Sequence, residues 1–198
     1  GVARVSESFT NGALELVEES EASLAILCWT SPGFGRGNVF GSDIDTFGVR
    51  STVPSVAVQL INPWARVVLV VGNTTVEWHR EDARLAADIA KRVQDSKETT
   101  MLVLASREND PAVAEFEEGQ VEVRVGLWRA QELIALIRPD DLVVLPAYVL
   151  QDVSLTDQLR ISRSFVQIDV AIVAGAHRLT VARNDAPHRM ERLVGHGF

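Results

Sequence analysis

The sequence predicts an α/β fold, a doubly wound parallel sheet with helices on both faces. Short runs of aliphatic and β-branched residues alternate with segments that place apolar residues every three or four positions. The short runs are apolar on successive residues, as expected of parallel strands that are covered on both faces. Strict alternation of strand and helix with short links is typical of such a sheet.

The clearest alternation covers residues 65–175, where five strands and four helices are predicted. The first strand, RVVLVVG, ends in glycine, and EDARLAADIAKRV after it has apolar positions at helical spacing. In the next helical segment, Pro111 suits the start and Gly119 the end. The predicted strands are 66–72, 99–106, 120–127, 141–148 and 167–175, and the predicted helices are 81–93, 109–119, 128–138 and 152–165.

Residues 1–62 repeat the last part of this pattern. They contain a helix (SFTNGALELVEES), a strand (ASLAILCW), a helix near SDIDTFGVRS and a strand (VPSVAVQLI). GALELVEESEASLAILCW aligns with AQELIALIRPDDLVVLPAY, and FGSDIDTFGVRSTVPSVAVQL aligns with LTDQLRISRSFVQIDVAIVAG. We interpret this as an internal repeat at a spacing of about 115 residues, whose first copy lacks its opening half.

Composition and charge exclude some classes of protein. The chain has 198 residues, which suits one domain or two small ones. Its net charge is -8 and no basic stripe is visible, which argues against nucleic acid as a partner. Cys28 is the single cysteine, so an internal disulfide is excluded, and its apolar neighbours predict a buried thiol. No apolar run approaches the roughly 20 residues that a membrane-spanning helix needs.

Two segments resemble the universal stress protein family. DDLVVLPAY is similar to the family's strand that leads into a glycine-rich loop, and FGSDIDTFGVRSTVPSVAVQL is similar to its closing glycine-serine, helix and strand. The resemblance implies three regions: 1–62 as the carboxy-terminal half of a first copy, 63–183 as a complete second copy, and 184–198 as a flexible tail. It also implies that the two copies pack as a pseudo-dimer, or that the chain forms a homodimer.

Tandem copies of this kind are similar to the cytoplasmic tails of bacterial cation/proton antiporters and related secondary transporters. The resemblance implies a regulatory or oligomerisation domain at the cytoplasmic face of the inner membrane, with the transporter domain of the same polypeptide as partner. The chain lacks an initiator methionine, which fits a piece of a longer protein. The alternatives are a stand-alone universal stress protein that binds an adenine nucleotide, and a dimerisation module without a ligand.

The glycine-rich stretch TSPGFGRGNVFGS is the candidate phosphate site of the first copy. Its candidate residues are Gly33, Gly35, Gly37, Gly41 and Ser42. In nucleotide-binding members of the family such a loop cradles phosphate with backbone N–H groups and a helix N-terminus. The closing glycine-serine matches, but the spacing from Gly33 to Gly41 is shorter than the family pattern. The stretch is either a degenerate phosphate loop or a turn whose serine caps the next helix, and the spacing favours the turn.

The second copy departs further from the nucleotide-binding pattern. Its corresponding loop, PAYVLQDVSLTDQ, has no glycine, and Asn73 stands where nucleotide-binding relatives carry an aspartate. We therefore predict that Asn73 is a turn residue and that no cofactor is bound, with an adenine nucleotide as the alternative. No catalytic motif is found and the four histidines are scattered, so we expect neither an enzyme nor a metal site. Asp140 and Asp141, before a strand, are expected to be exposed.

Overall fold

The computed structural model describes residues 6–28, 42–107, 110, 112–114, 116, 121–126, 129–151 and 153–176. Over these residues the chain forms a seven-stranded sheet with helices on both faces. The strands are β1 (Ala25–Cys28), β2 (Ser55–Gln59), β3 (Arg66–Val70), β4 (Thr100–Ala105), β5 (Glu122–Val125), β6 (Asp141–Pro146) and β7 (Asp169–Ala174). The helices are α1 (Phe9–Glu19), α2 (Ser42–Arg50), α3 (Glu77–Lys97), α4 (Ala130–Leu136), α5 (Ala147–Gln151) and α6 (Leu155–Phe165).

The strand order is β1-β2-β7-β6-β3-β4-β5. β1 and β2 are parallel to each other, and β7, β6, β3, β4 and β5 form a second parallel group. The two groups meet where β2 pairs with β7, and this pair is antiparallel. The predicted doubly wound α/β fold is confirmed, with one antiparallel junction inside the sheet.

The apolar core lies in two layers, one on each face of the sheet. On one face, alanines of α3 pack over Leu69 and Val144. On the other face, α4 and α6 cover Val68 and Leu145, and α2 continues this layer through Ile44. Under α1 and α2 the layer contains Ala25, Leu27 and Phe47. The strands of the larger group are buried on both faces because helices cover each side of a parallel sheet.

The junction between the two groups has a register that agrees with the sequence repeat. Ala57 lies opposite Ile172, and these two residues, about 115 positions apart, are equivalent in the aligned repeat. Side chains strengthen the junction, since the Gln59 amide donates to the carbonyl oxygen of Phe165 at 2.7 Å. The buried carboxylate of Asp169 accepts hydrogen bonds from the backbone N–H of Ile61 and from that of Asn62, the latter at 3.1 Å.

Asp141 is buried, and the prediction that it is exposed was wrong. Its two carboxylate oxygens accept hydrogen bonds from Nε and Nη2 of Arg66 at 2.8 and 2.7 Å, and from the backbone N–H of Arg138 at 2.7 Å. Hydrogen bonding to this carboxylate raises the pKa of the Arg66 guanidinium above its ordinary value. Arg66 and Asp141 are register partners, so the pair fastens the amino ends of β3 and β6.

The residues that the structure describes within the predicted helix 109–119 are not helical. These residues, 110, 112–114 and 116, form turns and a bend. Asp110 is buried, and its carboxylate accepts hydrogen bonds from the hydroxyl of Thr74 at 2.5 Å and from the backbone N–H of Ala112 at 3.0 Å. The contact with Ala112 is the one that a helix-capping aspartate makes, and the contact with Thr74 ties this turn to the loop that follows β3.

Cys28 also differs from its prediction, because its side chain is exposed. It lies at the end of β1, whose residues alternate between buried and exposed. The apolar run around Cys28 correctly predicts a strand. The prediction of a buried thiol was wrong because no described residue covers the face of β1 on which Cys28 lies.

We expect Arg66→Met to lower the free energy of unfolding by about 3–5 kcal/mol, because it leaves the Asp141 carboxylate buried without its cation. The matched control is Arg92→Met, which removes an exposed ion pair to Asp88 and should cost no more than about 0.5 kcal/mol. Urea denaturation of the three proteins measures both values. Equal losses in the two variants would contradict a structural role for the buried pair.

Candidate functional site

A cleft opens at the carboxyl ends of β3 and β6. From β3 the chain winds outward to β4 and β5, and from β6 it winds in the opposite direction to β7. The loops after β3 and β6 therefore diverge, and such a switch point is where open α/β sheets bind ligands. A cleft of about 950 Å³ lies here. Its polar lining residues are Asn73, Thr75, His79, Ser106, Arg129 and Glu132.

The loop after β3 is held firmly against its surroundings. The backbone N–H of Val71 donates to the carbonyl oxygen of Leu104 at 2.8 Å, which extends the pairing with β4. Thr74 is bound to Asp110 through its side chain, and its carbonyl oxygen accepts from Nε of Arg80 at 3.1 Å. The side chain of Asn73 accepts from the backbone N–H of Thr75 at 3.3 Å. Asn73 is therefore a turn residue, as predicted.

His79 is a buried side chain at the edge of the cleft that the sequence did not single out. Its Nδ1 lies 2.7 Å from the carbonyl oxygen of Asn73. A carbonyl can only accept, so Nδ1 carries the proton in a neutral ring and Nε2 is the acceptor. The ring stacks on Tyr148 with centroids 4.0 Å apart and planes 8° apart. Trp78 packs edge-on against both rings.

Helix α5 closes the side of the cleft that follows β6. The prediction extended this strand to residue 148, but β6 ends at Pro146 and α5 begins at Ala147. Tyr148 is fully buried. A Cβ placed on Gly72 would lie 2.9 Å from Cγ2 of Val149 and 3.0 Å from Cε2 of Tyr148. The backbone at Gly72 is thus in direct contact with the side chains of Tyr148 and Val149, which belong to the first turn of α5.

A second, smaller cleft of about 510 Å³ shares Arg129, Ala130 and Val153 with the first. It lies at the start of α6, where the Ser154 hydroxyl oxygen accepts from the backbone N–H of Asp157 at 3.2 Å. The Asp157 carboxylate accepts from that hydroxyl and pairs with Arg160 at 3.3 Å. The start of α6 is therefore capped by its own side chains and carries a carboxylate in its first turn, which opposes an anionic ligand.

Charge in the joined clefts is balanced. Arg129 and Arg160 supply two cations, and Glu132 and Asp157 supply two anions. Phosphate recognition in proteins depends on converging cations or unpaired backbone N–H groups. The arrangement is better suited to an uncharged, partly apolar ligand of moderate size than to a nucleoside triphosphate.

The candidate phosphate loop of the first 62 residues is not tested by this geometry. Residues 33, 35, 37 and 41 lie outside the described part of the chain. Ser42 is the first residue of α2, and nothing is described of its side chain. The sequence prediction for these five residues therefore stays a prediction.

Comparison with solved structures supports the fold. A functionally unknown protein from Pseudomonas aeruginosa PAO1 superposes with a TM-score of 0.58 at 13% identity, over 92% of this chain and 74% of its own. A putative universal stress protein from Pseudomonas aeruginosa UCBPP-PA14 superposes with a TM-score of 0.56 at 14% identity, over the same shares. The chain has a universal stress protein-like fold. At this identity the likeness concerns the fold alone, and the sequence matches no protein-family model and no curated protein.

Two further observations concern the described residues. They contain no group of three or more histidine, cysteine, aspartate or glutamate side chains arranged to hold a metal ion. No helix among them combines the length and the apolar character needed to cross a membrane.

We expect Gly72→Ala to lower the free energy of unfolding by about 1–3 kcal/mol, because the new methyl group overpacks the contact with α5. Gly48→Ala in α2 is the matched control, since a Cβ there meets nothing nearer than the Ser55 hydroxyl at 4.0 Å. That change should raise stability by about 0.5–1 kcal/mol. Urea unfolding measures both effects.

Val149→Ala should partly rescue Gly72→Ala, because it removes the methyl group that the new Cβ meets. The double variant is then more stable than the sum of the two single losses predicts. Strict additivity would contradict the close contact between the loop after β3 and α5.

Proposed function

We propose that this chain is a non-catalytic regulatory and oligomerisation module with a universal stress protein-like fold. The module forms part of the cytoplasmic tail of a cation/proton antiporter or related secondary transporter, at the inner membrane. The partner is the transporter domain of the same polypeptide, and the module works as a homodimer. The resemblance of the two repeated segments to such tails supports this context.

The observation that supports the non-catalytic assignment is the way α5 closes one side of the cleft. In nucleotide-binding relatives a glycine-rich loop follows the strand equivalent to β6 and exposes backbone N–H groups to phosphate. Here α5 begins directly after β6, and Tyr148 and Val149 pack against Gly72. Side chains occupy the approach that a phosphate chain would need.

The antiparallel junction supports the two-copy organisation of the module, with residues 1–62 as a partial first copy and 63–183 as a complete second copy. Residues that are equivalent in the aligned repeat, Ala57 and Ile172, lie opposite each other at the centre of the β2–β7 pair. Pairing through equivalent residues is what a two-fold relation between repeats produces. The chain then resembles a symmetric two-copy assembly that is joined through the last strand of each copy.

A regulatory role requires that a ligand or partner contact bind two states of the module with different affinity. The transporter would respond only to the extent of that difference, and the coupling is reciprocal. The position of the cleft at the switch point suits such a contact, because residues from both sides of the sheet centre line it.

The alternative is a stand-alone universal stress protein that binds an adenine nucleotide. The observation that favours it is the cleft itself, whose volume of about 950 Å³ is ample for a nucleoside. Under this alternative Arg129 is the residue best placed to meet a phosphate, since it lines both clefts.

Thermal unfolding with millimolar ATP, ADP, AMP or a cyclic dinucleotide tests the proposal. We expect no change in melting temperature. A ligand at about 100 times its dissociation constant would add roughly 2.7 kcal/mol of stability, which raises the melting temperature by several degrees.

A rise in melting temperature would favour the alternative, and two variants locate the ligand. Loss of the effect in Gly41→Val would place it at the glycine-rich stretch of residues 33–42. Loss in Arg129→Ala, with Arg92→Ala as the exposed-arginine control, would place it in the switch-point cleft.

A further inference from the structure

Strand β1 lies at one end of the sheet. It pairs with β2 on one side, and no strand among the described residues pairs with its other side. One face of β1 is covered, since Ala25 and Leu27 are 7% exposed and pack with Phe47 beneath α1 and α2. The opposite face carries Ile26, which is 66% exposed, and Cys28, which is also exposed.

The pair β1–β2 is the structural counterpart of the pair β6–β7. Ala25 is the partner of Ser55, and Val143 is the partner of Val170. The register of β2 and β7 makes Ser55 equivalent to Val170. It follows that Ile26 is the counterpart of Val144, and Cys28 the counterpart of Pro146.

These counterparts have opposite surroundings. Val144 is fully buried, because β3 pairs with β6 on the side away from β7 and alanines of α3 cover that face. Ile26 has neither neighbour among the described residues. Beside β6, β3 occupies the strand edge and α3 covers the face. The corresponding edge and face of β1 are open among the described residues.

We propose that the open edge and face of β1 bind a β-α-β segment of the same polypeptide that precedes α1. Its first strand would pair in parallel with β1, and its helix would lie over Ile26 and Cys28. By analogy with β3 and α3, the strand is aliphatic and the helix presents small residues to the sheet. An exposed aliphatic side chain on an open strand edge is a surface that proteins ordinarily cover.

The connections in the larger group support a source in the same polypeptide. β3 precedes β6 in the chain, and right-handed crossovers allow the same order for a strand that precedes β1. The superposed structures are long enough for such a segment, since this chain covers 74% of each. The proposal rests on the two-copy organisation proposed above, and it does not depend on the transporter context or on a ligand.

Alkylation of Cys28 tests the proposal, because it is the single cysteine of the 198-residue chain. We expect fast reaction with a maleimide in this chain at every protein concentration. In the full-length polypeptide, with any other cysteine replaced by serine, reaction at Cys28 should be slower by roughly 100-fold or more, since it would require local opening. Amide hydrogen exchange should show added protection of Ala25–Cys28 in the full-length protein only.

Three results would overturn the proposal. Equal alkylation rates in both proteins would mean that nothing covers this face. Slow alkylation of the 198-residue chain would mean that another part of this chain covers Cys28, or a second copy if the rate depends on concentration. A protected thiol without added amide protection in the full-length protein would mean that the cover is not a paired strand.

Ile26→Lys gives an independent readout. We expect a fall in melting temperature of several degrees in the full-length polypeptide and almost none in the 198-residue chain, where the side chain is exposed. Val49→Lys is the matched control, because Val49 is 41% exposed on α2. It should change neither protein. The same small effect of Ile26→Lys in both proteins would contradict the proposed cover.

Discussion

Antiparallel pairing between β2 and β7 is the interaction on which the rest of the structure depends. β1 and β2 alone would form a two-stranded sheet, which is at best marginally stable in water. Joined to β7, β2 places Val56 in the core beneath α3 and Ala57 in the core on the other face. Through these residues of β2, the described part of the first 60 residues shares the core of the larger group.

The same sheet determines where the cleft lies, and the side chains determine what it can accept. Chain winding in opposite directions from β3 and β6 opens the crevice whatever residues line it. Tyr148, Val149 and Gly72 then close one side, and arginines and carboxylates balance the charge of the remainder. A shared fold therefore does not imply a shared ligand, and the ligand that the cleft accepts depends on these few residues.

Helix α3 connects the cleft with the junction between the two parallel groups. His79 in its first turn lines the cleft, and Asp82, one turn further on, accepts a hydrogen bond from the backbone N–H of Gly175 at 2.8 Å. Gly175 directly follows β7, the strand that pairs with β2. A contact made in the cleft is thus one helical turn away from the strand that joins the two groups, which gives the proposed regulatory role a short structural path. Coupling along that path would require two distinct arrangements of the helix.

The sequence by itself determined the α/β class and the succession of strands along the chain, because these follow from local apolar patterns such as RVVLVVG and VPSVAVQL. It also identified Asn73 as a turn residue, since asparagine favours turns through its own side chain. Only the tertiary structure decided that Asp141 is buried, because its burial depends on Arg66, which lies far away in the sequence. The position of α5 and the exposure of Cys28 were likewise tertiary outcomes: α5 is fixed by its contact with Gly72, and Cys28 is exposed because β1 ends the sheet.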